Sequence, residues 1–393
     1  MVYYQGFLDE RQDDPTLREE VAQAHFFTGQ ITQAIDSPAN ALPHYQRAAE
    51  TQQELSANSP DSAELAAAFG KTLNALGDAS LRLGQLDQAN EYFQRAIKVR
   101  DKLAKADPDD VEAARTLASS VMNFGFVYYL QGDFETAIER MRHAQAIRLA
   151  HTSGAETVTT ILQRDLGMGY YNLALTYGAV EETQQSENNF LAAIAAFEQL
   201  LELDPADMKN RRKLAACHRM VGQLQSKLGN SAKAIEYYEQ AQRTLAELRL
   251  RNPHLLDFTS DLAGVHLHLG LELAKQDQPD AALATLDQAT ELFRELIEQA
   301  ETVPSFRRDL SHCLREAAAI LATTGQHVRA RKRLEESQGV LSQLVKEEPS
   351  NEQYTSELQL TSDELARVTI SGEKTILEVD LQKRDELKSN ERE

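Results

Sequence analysis

Nowhere in these 393 residues is there a run approaching the roughly eighteen apolar residues that a membrane-crossing helix needs. The opening, MVYYQGFLDERQDD, lacks the basic segment followed by an apolar one that marks an export leader. As it stands the chain is expected to be soluble and cytoplasmic. Positive charge is in deficit: 41 Lys and Arg against 61 Asp and Glu leave a net charge of −20. That balance argues against a nucleic-acid backbone or an anionic bilayer as the main partner. Proline (10) and glycine (18) are sparse, and 26% charged with 42% hydrophobic residues is a folded, helix-rich composition rather than a disordered one.

Catalytic and metal-binding motifs are missing as well. There is no CxxC, HExxH or GxSxG. His266 and His268 lie two apart, so on a helix they point to different faces, and His312 beside Cys313 has the same defect. The many carboxylates offer chance pairs that identify no acid/base dyad. No metal, no cofactor and no enzymatic activity are expected.

What is present is a period. Val21, Phe69, Leu117, Leu166, Leu214, Leu262, Leu310 and Leu358 are apolar and stand 48 or 49 residues apart. Eight positions later comes a second row, Gly29, Gly77, Gly125, Ala174, Gly222, Gly270, Ala318 and Ala366, always with little or no side chain. A fixed period of this size marks an array of units that bury their apolar faces only against neighbours, and a row of small residues marks one helix lying close on another. Function is then sought on a surface rather than in a pocket of a compact domain.

Within a unit the periodicity is helical. In the second, apolar residues recur at three- and four-residue steps through Leu65, Phe69, Leu73 and Leu76, and again through Leu86, Ala89, Phe93, Ala96 and Ile97, with Gly84 between the stripes. A proline stands 31 residues after the small residue in five units (Pro60, Pro108, Pro205, Pro253, Pro349), where it favours a loop between repeats. Cys217 and Cys313 share one slot two repeats apart. With packed helices 8 to 10 Å apart they are on the order of 20 Å from each other, too far for a disulfide, and are expected to be buried thiols.

Gly77, Gly84, Ala89, Phe93 and Ala96, spaced at zero, seven, twelve, sixteen and nineteen, resemble the tetratricopeptide repeat. Gly125, Gly132, Ala137, Met141 and Ala144, and Gly222, Gly229, Ala234, Tyr238 and Ala241, keep the same frame; the first, sixth and seventh units keep it with gaps. In the fourth unit Ala193, Phe197 and Leu200 read as the second helix arriving seven residues late, after a longer loop around EETQQSENN. The resemblance implies an all-α fold, a right-handed solenoid of antiparallel helix pairs with a 48-residue period. The fourteen residues beyond the usual 34 lengthen both helices by about two turns, to about twenty residues each. Residues 1–372 are expected to form about seven helix pairs and a C-terminal capping helix, and 373–393, with twelve charges in twenty-one, a mobile charged tail.

The 48-residue spacing, the segment YYQGFLDERQDDPTLREEVAQAHFFTGQI and the phrase DPDDVEAARTLASSVMNFG are similar to the C-terminal repeat region of large bacterial serine/threonine protein kinases. The kinase motifs themselves, the Gly-rich loop, VAIK-like lysine, DFG and APE, are not in this chain. QRDL and RRDL resemble the kinase catalytic loop superficially, since Leu166 and Leu310 are repeat leucines. As part of a membrane-anchored kinase the segment would lie outside the cytoplasm.

The tetratricopeptide resemblance implies that the first helix of each unit lines a concave groove binding a protein or peptide, through positions six and three before the small residue and one and four after it. In units three and four these are Ser119, Met122, Phe126 and Tyr129, then Met168, Tyr171, Leu175 and Gly178. Asn123 and Asn172 stand where an asparagine in that family grips a peptide backbone, and Lys71, Arg219, His312 and Arg315 could receive acidic groups. Two readings stay open for Phe126, Tyr129 and Tyr171, core packing and ligand contact. Met122 and Ser119 depart from the family's two-carboxylate clamp, which puts recognition of a free C-terminus in doubt. The alternative to a peptide partner is self-association, or docking on a kinase domain.

Overall fold

The computed structural model describes residues 2–11, 14, 16–152 and 160–390, and side chains from 372 onward, with those of Val2 and Asp9, are left out of the account. Among the described residues there are sixteen helices and no strand. They fall into two compact units, Met1–Leu203 and Asp204–Glu393. The first holds α1 (Val2–Arg11) and four antiparallel pairs: α2 (Arg18–Ile35) with α3 (Pro38–Asn58), α4 (Ala63–Arg82) with α5 (Leu86–Ala106), α6 (Val111–Gln131) with α7 (Phe134–Ala150), and α8 (Thr160–Ala179) with α9 (Thr183–Leu203). The second holds α10 (Met208–Lys227) with α11 (Ser231–Arg251), α12 (Leu256–Lys275) with α13 (Pro279–Gln299), α14 (Pro304–Thr323) with α15 (His327–Glu347), and then α16 (Glu352–Asn390). None of the described helices is long and apolar enough to cross a membrane.

Starts and stops follow local chemistry. Two residues after each of four prolines stands a capping side chain: Ser62 accepts from the Leu65 amide, Asp110 from Glu112 and Ala113, Asp207 from Lys209 and Asn210, and Asn351 from Tyr354. Each satisfies amides that the first turn of a helix leaves without a partner. The turn between paired helices uses a left-handed residue seven positions after the small slot in every repeat but the first, where Asp36 has φ −132°. Gly84, Gly132, Gly229 and Gly325 supply it, with φ from 72° to 81°.

The small row is explained by what faces it. A Cβ on Gly77 would sit 2.6 Å from the Phe93 ring, on Gly29 2.7 Å from Tyr45, and on Gly222 2.7 Å from Tyr238. Each ring lies sixteen positions after the glycine it covers, and all three are essentially buried. A second layer sits seven positions earlier, one that the periodicity alone does not single out: Ala22, Gly70, Ala118, Gly167, Ala215, Ala263 and Ser311 are small and buried. A Cβ on Gly167 would lie 3.1 Å from the Phe197 ring, and one on Gly70 3.2 Å from the stem of Arg100. In antiparallel helices, seven residues back on one is seven forward on the other, so both layers belong to a single register.

That register corrects the reading of the fourth unit. Helix α9 begins nine residues after Ala174, as α5 begins nine after Gly77, so there is no longer loop; EETQQSENN is mostly the first turns of α9. Ala193 is the nineteenth-position residue, Phe190 the ring at sixteen, and Ser186 stands where the other units have alanine. Ser186 is fully buried and its hydroxyl donates to the Ala174 carbonyl at 2.7 Å, which makes a polar atom tolerable at an alanine slot.

The ends also differ from expectation. Helix α1 packs Leu8 against Val21 and Ala24, covering the first pair. At the other end Leu365 and Val368 of α16 pack on the core of the second unit, and Tyr354 on Leu341 and Leu344. The charged segment expected from 373 is not a separate tail up to Asn390: it continues α16, having no proline or glycine after Gly372 to stop a helix. Residues 391–393 lie outside the described residues. Cys217 and Cys313 are free and fully buried, and burial pushes the Cys217 thiol up to about 12.

Two substitutions test the register. Gly77→Ala should lower stability by about 1–3 kcal/mol, the usual cost of overpacking. Glu181, at φ 61°, occupies the left-handed slot without being glycine; Glu181→Gly should raise stability by roughly 1 kcal/mol, the strain of that conformation for an L-residue. Thermal and urea unfolding followed by circular dichroism measure both, and opposite signs are required.

Candidate partner-binding face

Within each unit the first helices of neighbouring repeats approach one another, and polar side chains link them. Gln33 donates to Asp78 at 2.7 Å. Ser120 donates to the Asn74 side-chain oxygen at 3.0 Å, and the Asn123 amide approaches the same oxygen at 3.5 Å. In the second unit Gln223 meets the His268 ring at 3.0 Å, and Ser226 donates to Glu272. These links fix one first helix against the next and keep amide groups at the partly exposed edge of the row.

Of the residues expected to line a groove, Met122 does not. It is 4% exposed and sits in the core among Leu117, Val121, Met141 and Leu173, although Asn74 and Tyr171, in the same slot of their repeats, are only half-buried. Phe126 and Tyr129 are half-buried and stack on each other, centroids 5.6 Å apart and planes within 10°, with Tyr129 edge-on to Phe134 at 5.5 Å. One face of the stack packs on the same core. Tyr171 is half-buried and edge-on to Phe190 at 5.7 Å. Met168, Asn123 and Asn172 are likewise half-buried. The residues left out by sequence reasoning are Asn74, whose oxygen joins α4 to α6, and Tyr177, which packs beside the stack. The signal for Asn74 was in the sequence: it stands three before Gly77, a slot already assigned to the face.

The basic residues divide by surroundings. Lys71 is exposed, its ammonium 4.7 Å over the Phe26 ring and 5.7 Å from that of Phe27, a cation–π site with the charge still in water. In the second unit His312 lies 3.3 Å from Glu316, and Arg315 donates to Glu364 at 3.2 Å. Both already face a carboxylate of this chain, so an incoming acidic group has to displace it. Arg219 stands near His268 and Tyr238, whose rings stack at 5.8 Å. Asp165, in the kinase-like fragment, accepts from Arg115 of the preceding repeat at 3.0 Å and so joins repeats; Asp309 pairs with Arg308. Among the described residues no three His, Cys, Asp or Glu side chains converge as a metal site would require.

With this geometry in view, comparison with known proteins is informative about fold. The tetratricopeptide repeat family model matches residues 70–103 and 218–243, within the second and fifth repeats. The chain carries tetratricopeptide repeats. Among solved structures it is similar to the apo form of RapI (TM-score 0.62, 11% identity, 91% of this chain and 84% of that one). It is also similar to aspartyl phosphate phosphatase F from Bacillus subtilis (0.51, 14%, 85% and 73%). A third is the signal transduction ATPase PH0952 from Pyrococcus horikoshii, which has a tetratricopeptide repeat sensor (0.55, 14%, 90% and 46%). At these identities the likeness is one of fold. No curated protein matches.

The histidines of the array predict a pH dependence. Burial holds His25, His218, His266 and His268 down at about 4; His44 and Arg47 add to this at His25, Arg243 at His218, and Arg219 and His312 at His268. In the unfolded chain each takes up a proton near 6.5. Above that pH both states are neutral and the full stability is present. As the pH falls from 6.5 through about 4 the unfolded chain binds protons that the fold refuses, and stability is lost. The melting midpoint should therefore fall between about pH 7 and pH 5, and His266→Gln should flatten that slope; melts across the range check both.

Proposed function

We propose that the chain is a non-catalytic scaffold that holds a protein or peptide segment along the first-helix face of its repeats. The observation that carries this reading is the meeting of Asn74 on α4 with Asn123 on α6, the helix that also carries the half-buried Phe126–Tyr129 stack; Asn172 holds on α8 the slot that Asn123 holds on α6. An asparagine amide offers a donor and an acceptor together, which matches the backbone of an extended segment, and stacked aromatics offer rigid apolar area at little entropic cost. The repeat fold supports protein or peptide partners as the class, and the neighbouring first helices within each unit supply a surface many residues long.

A finer reading places the scaffold in a bacterial serine/threonine kinase system, as an interaction or regulatory region whose kinase domain is not in this chain. The 48-residue spacing and the opening segment support it.

The test is selection of peptides from a random library on the full chain, followed by anisotropy measurements on the best binder. Asn123→Ala with Tyr129→Ala should weaken binding about thirtyfold or more, the effect of losing a hot-spot pair of roughly 2 kcal/mol. The circular dichroism spectrum should stay that of the folded chain. Unchanged affinity in a folded variant would place the partner on another face.

A further inference from the structure

The first and second helices of a repeat are tied near their far ends. Position eleven before the small slot on one helix meets a polar residue about 36 later on the other: Arg18 with Glu54, Gln163 with Gln199 at 2.5 Å, and Arg211 with Glu247 at 2.8 Å. In the seventh repeat Arg307 holds Glu347 through two bonds, at 2.8 and 2.6 Å, and in the sixth Arg249 reaches across to Thr259 and Glu295. The third repeat has no tie, with Ala114 and Ala150 at the two slots, and the second breaks the pattern differently. Its residue at the arginine slot is Ala66 and its residue at the carboxylate slot is Lys102.

Where the long side chains are missing, a cavity of about 560 Å³ opens against α4 and α5, floored by Ala66, Phe69, Val99 and Leu103. Phe69 and Val99 are partly buried and pack on the core cluster beneath, so the floor is apolar and backed by close-packed structure. Its charged lining consists of Asp61 and two exposed lysines, Lys98 and Lys102, one helical turn apart on α5. No ion pair among the described residues uses either lysine. In a chain of net charge −20 this apolar cavity has a locally positive edge, to which the lysine at the carboxylate slot contributes one of the two cations.

We propose that this cavity is a binding site for a small amphiphilic carboxylate, with its apolar chain against Phe69, Val99 and Leu103 and its carboxylate at Lys98 and Lys102. The volume is in the range that small-molecule sites use, and apolar walls with a few convergent polar groups are their usual make-up. The charge selects the head group. An ammonium head would meet two like charges against the single carboxylate of Asp61, and a neutral head would gain no ion pair with either lysine. The cavity takes in Ala66 and Phe69 on the first turns of α4, before Asn74 in the middle of that helix, and the proposal is independent of the peptide reading.

The protein's own repeats supply the control. Ala66→Arg with Lys102→Glu installs in the second repeat the tie that Arg18–Glu54 and Arg211–Glu247 make, filling the cavity with a side chain the architecture accommodates elsewhere. Decanoate, kept below the concentration at which it forms micelles, is titrated into the full chain by calorimetry, with decanol as the uncharged comparison. The expected result is saturable one-site binding of decanoate, about tenfold weaker for decanol and for Lys98→Gln/Lys102→Gln, and lost in the Ala66→Arg/Lys102→Glu variant while its melting midpoint holds or rises. Three results would overturn the proposal: no saturable decanoate binding to the folded chain, equal binding of decanol, or undiminished binding to the filled variant.

Discussion

The close approach of a first helix onto a second, a backbone with almost no side chain against a large buried residue, is the constraint on which the rest depends. Tyr45, Phe93, Met141, Phe190, Tyr238, Leu286 and Leu334 vary in chemistry but occupy one position, and each lies over a glycine or alanine. Once that contact is made, the antiparallel register places every other layer: small against large seven residues further out, alanine or serine at the twelfth and nineteenth positions, and the polar tie at the ends. Interiors are packed at nearly crystalline density, so a single misfit in the shared position propagates to the layers on either side. The period of 48 is the spacing at which this one contact recurs.

The repeat, the helix pairs, the lengths near twenty residues and the buried cysteines were all legible from residue types because they depend on side-chain size and periodicity. What failed to be legible was chemistry that substitutes for size. Ser186 stands at an alanine slot and hides its hydroxyl on the Ala174 carbonyl, so a reader searching for alanine passes over it and finds Ala193 one layer too late. Glu181 and Asp277 hold the left-handed turn that glycine holds in four other repeats, at φ 61° and 55°. A glycine search therefore sees no turn in the fourth and sixth repeats, although the backbone is the same. Met122 was misplaced for another reason: a slot does not fix burial, since Asn74 and Tyr171 stay half-buried where Met122 closes into the core with Leu117, Val121, Met141 and Leu173.

Polar groups between repeats follow the same register and have a consequence for the binding face. Arg115 with Asp165, Arg212 with Asp257 and Asp261, and Arg333 with Asp287 each connect one repeat to the next. Exposed pairs of this kind contribute little individually. The buried arginines differ. Arg100 donates to the Thr116 carbonyl at 2.7 Å and to Ser120 at 2.8 Å, and Ser120 in turn donates to Asn74. A guanidinium at a slot that the third repeat fills with Arg148 and the fourth to seventh with Phe197, Leu245, Phe293 and Leu341 is held by neutral oxygens, and burial with the nearby charge of Arg115 pulls it down to about 10. Asn74 is thus oriented from below by a chain that begins at a buried cation, so the amide row at the surface and the packing of α5 on α6 are parts of one hydrogen-bonded network.

This arrangement separates the positions that must stay constant from those that can change. The small slot, the residue covering it and the left-handed turn define the pair, and a departure at any of them needs a local remedy such as the one Ser186 finds. The end tie and the exposed slots of the first helix are different, because solvent can take over what a lost side chain leaves. Replacing an arginine by Ala66 leaves the register of the second repeat intact, since Gly77 on Phe93 and Gly70 on Arg100 still hold the two helices together. Only at such slots can an array of this kind acquire an opening without losing a layer. The second repeat is complete in its packing layers, open at its tie and alone in carrying a lysine at the carboxylate slot, and there the fold has room for a ligand of its own.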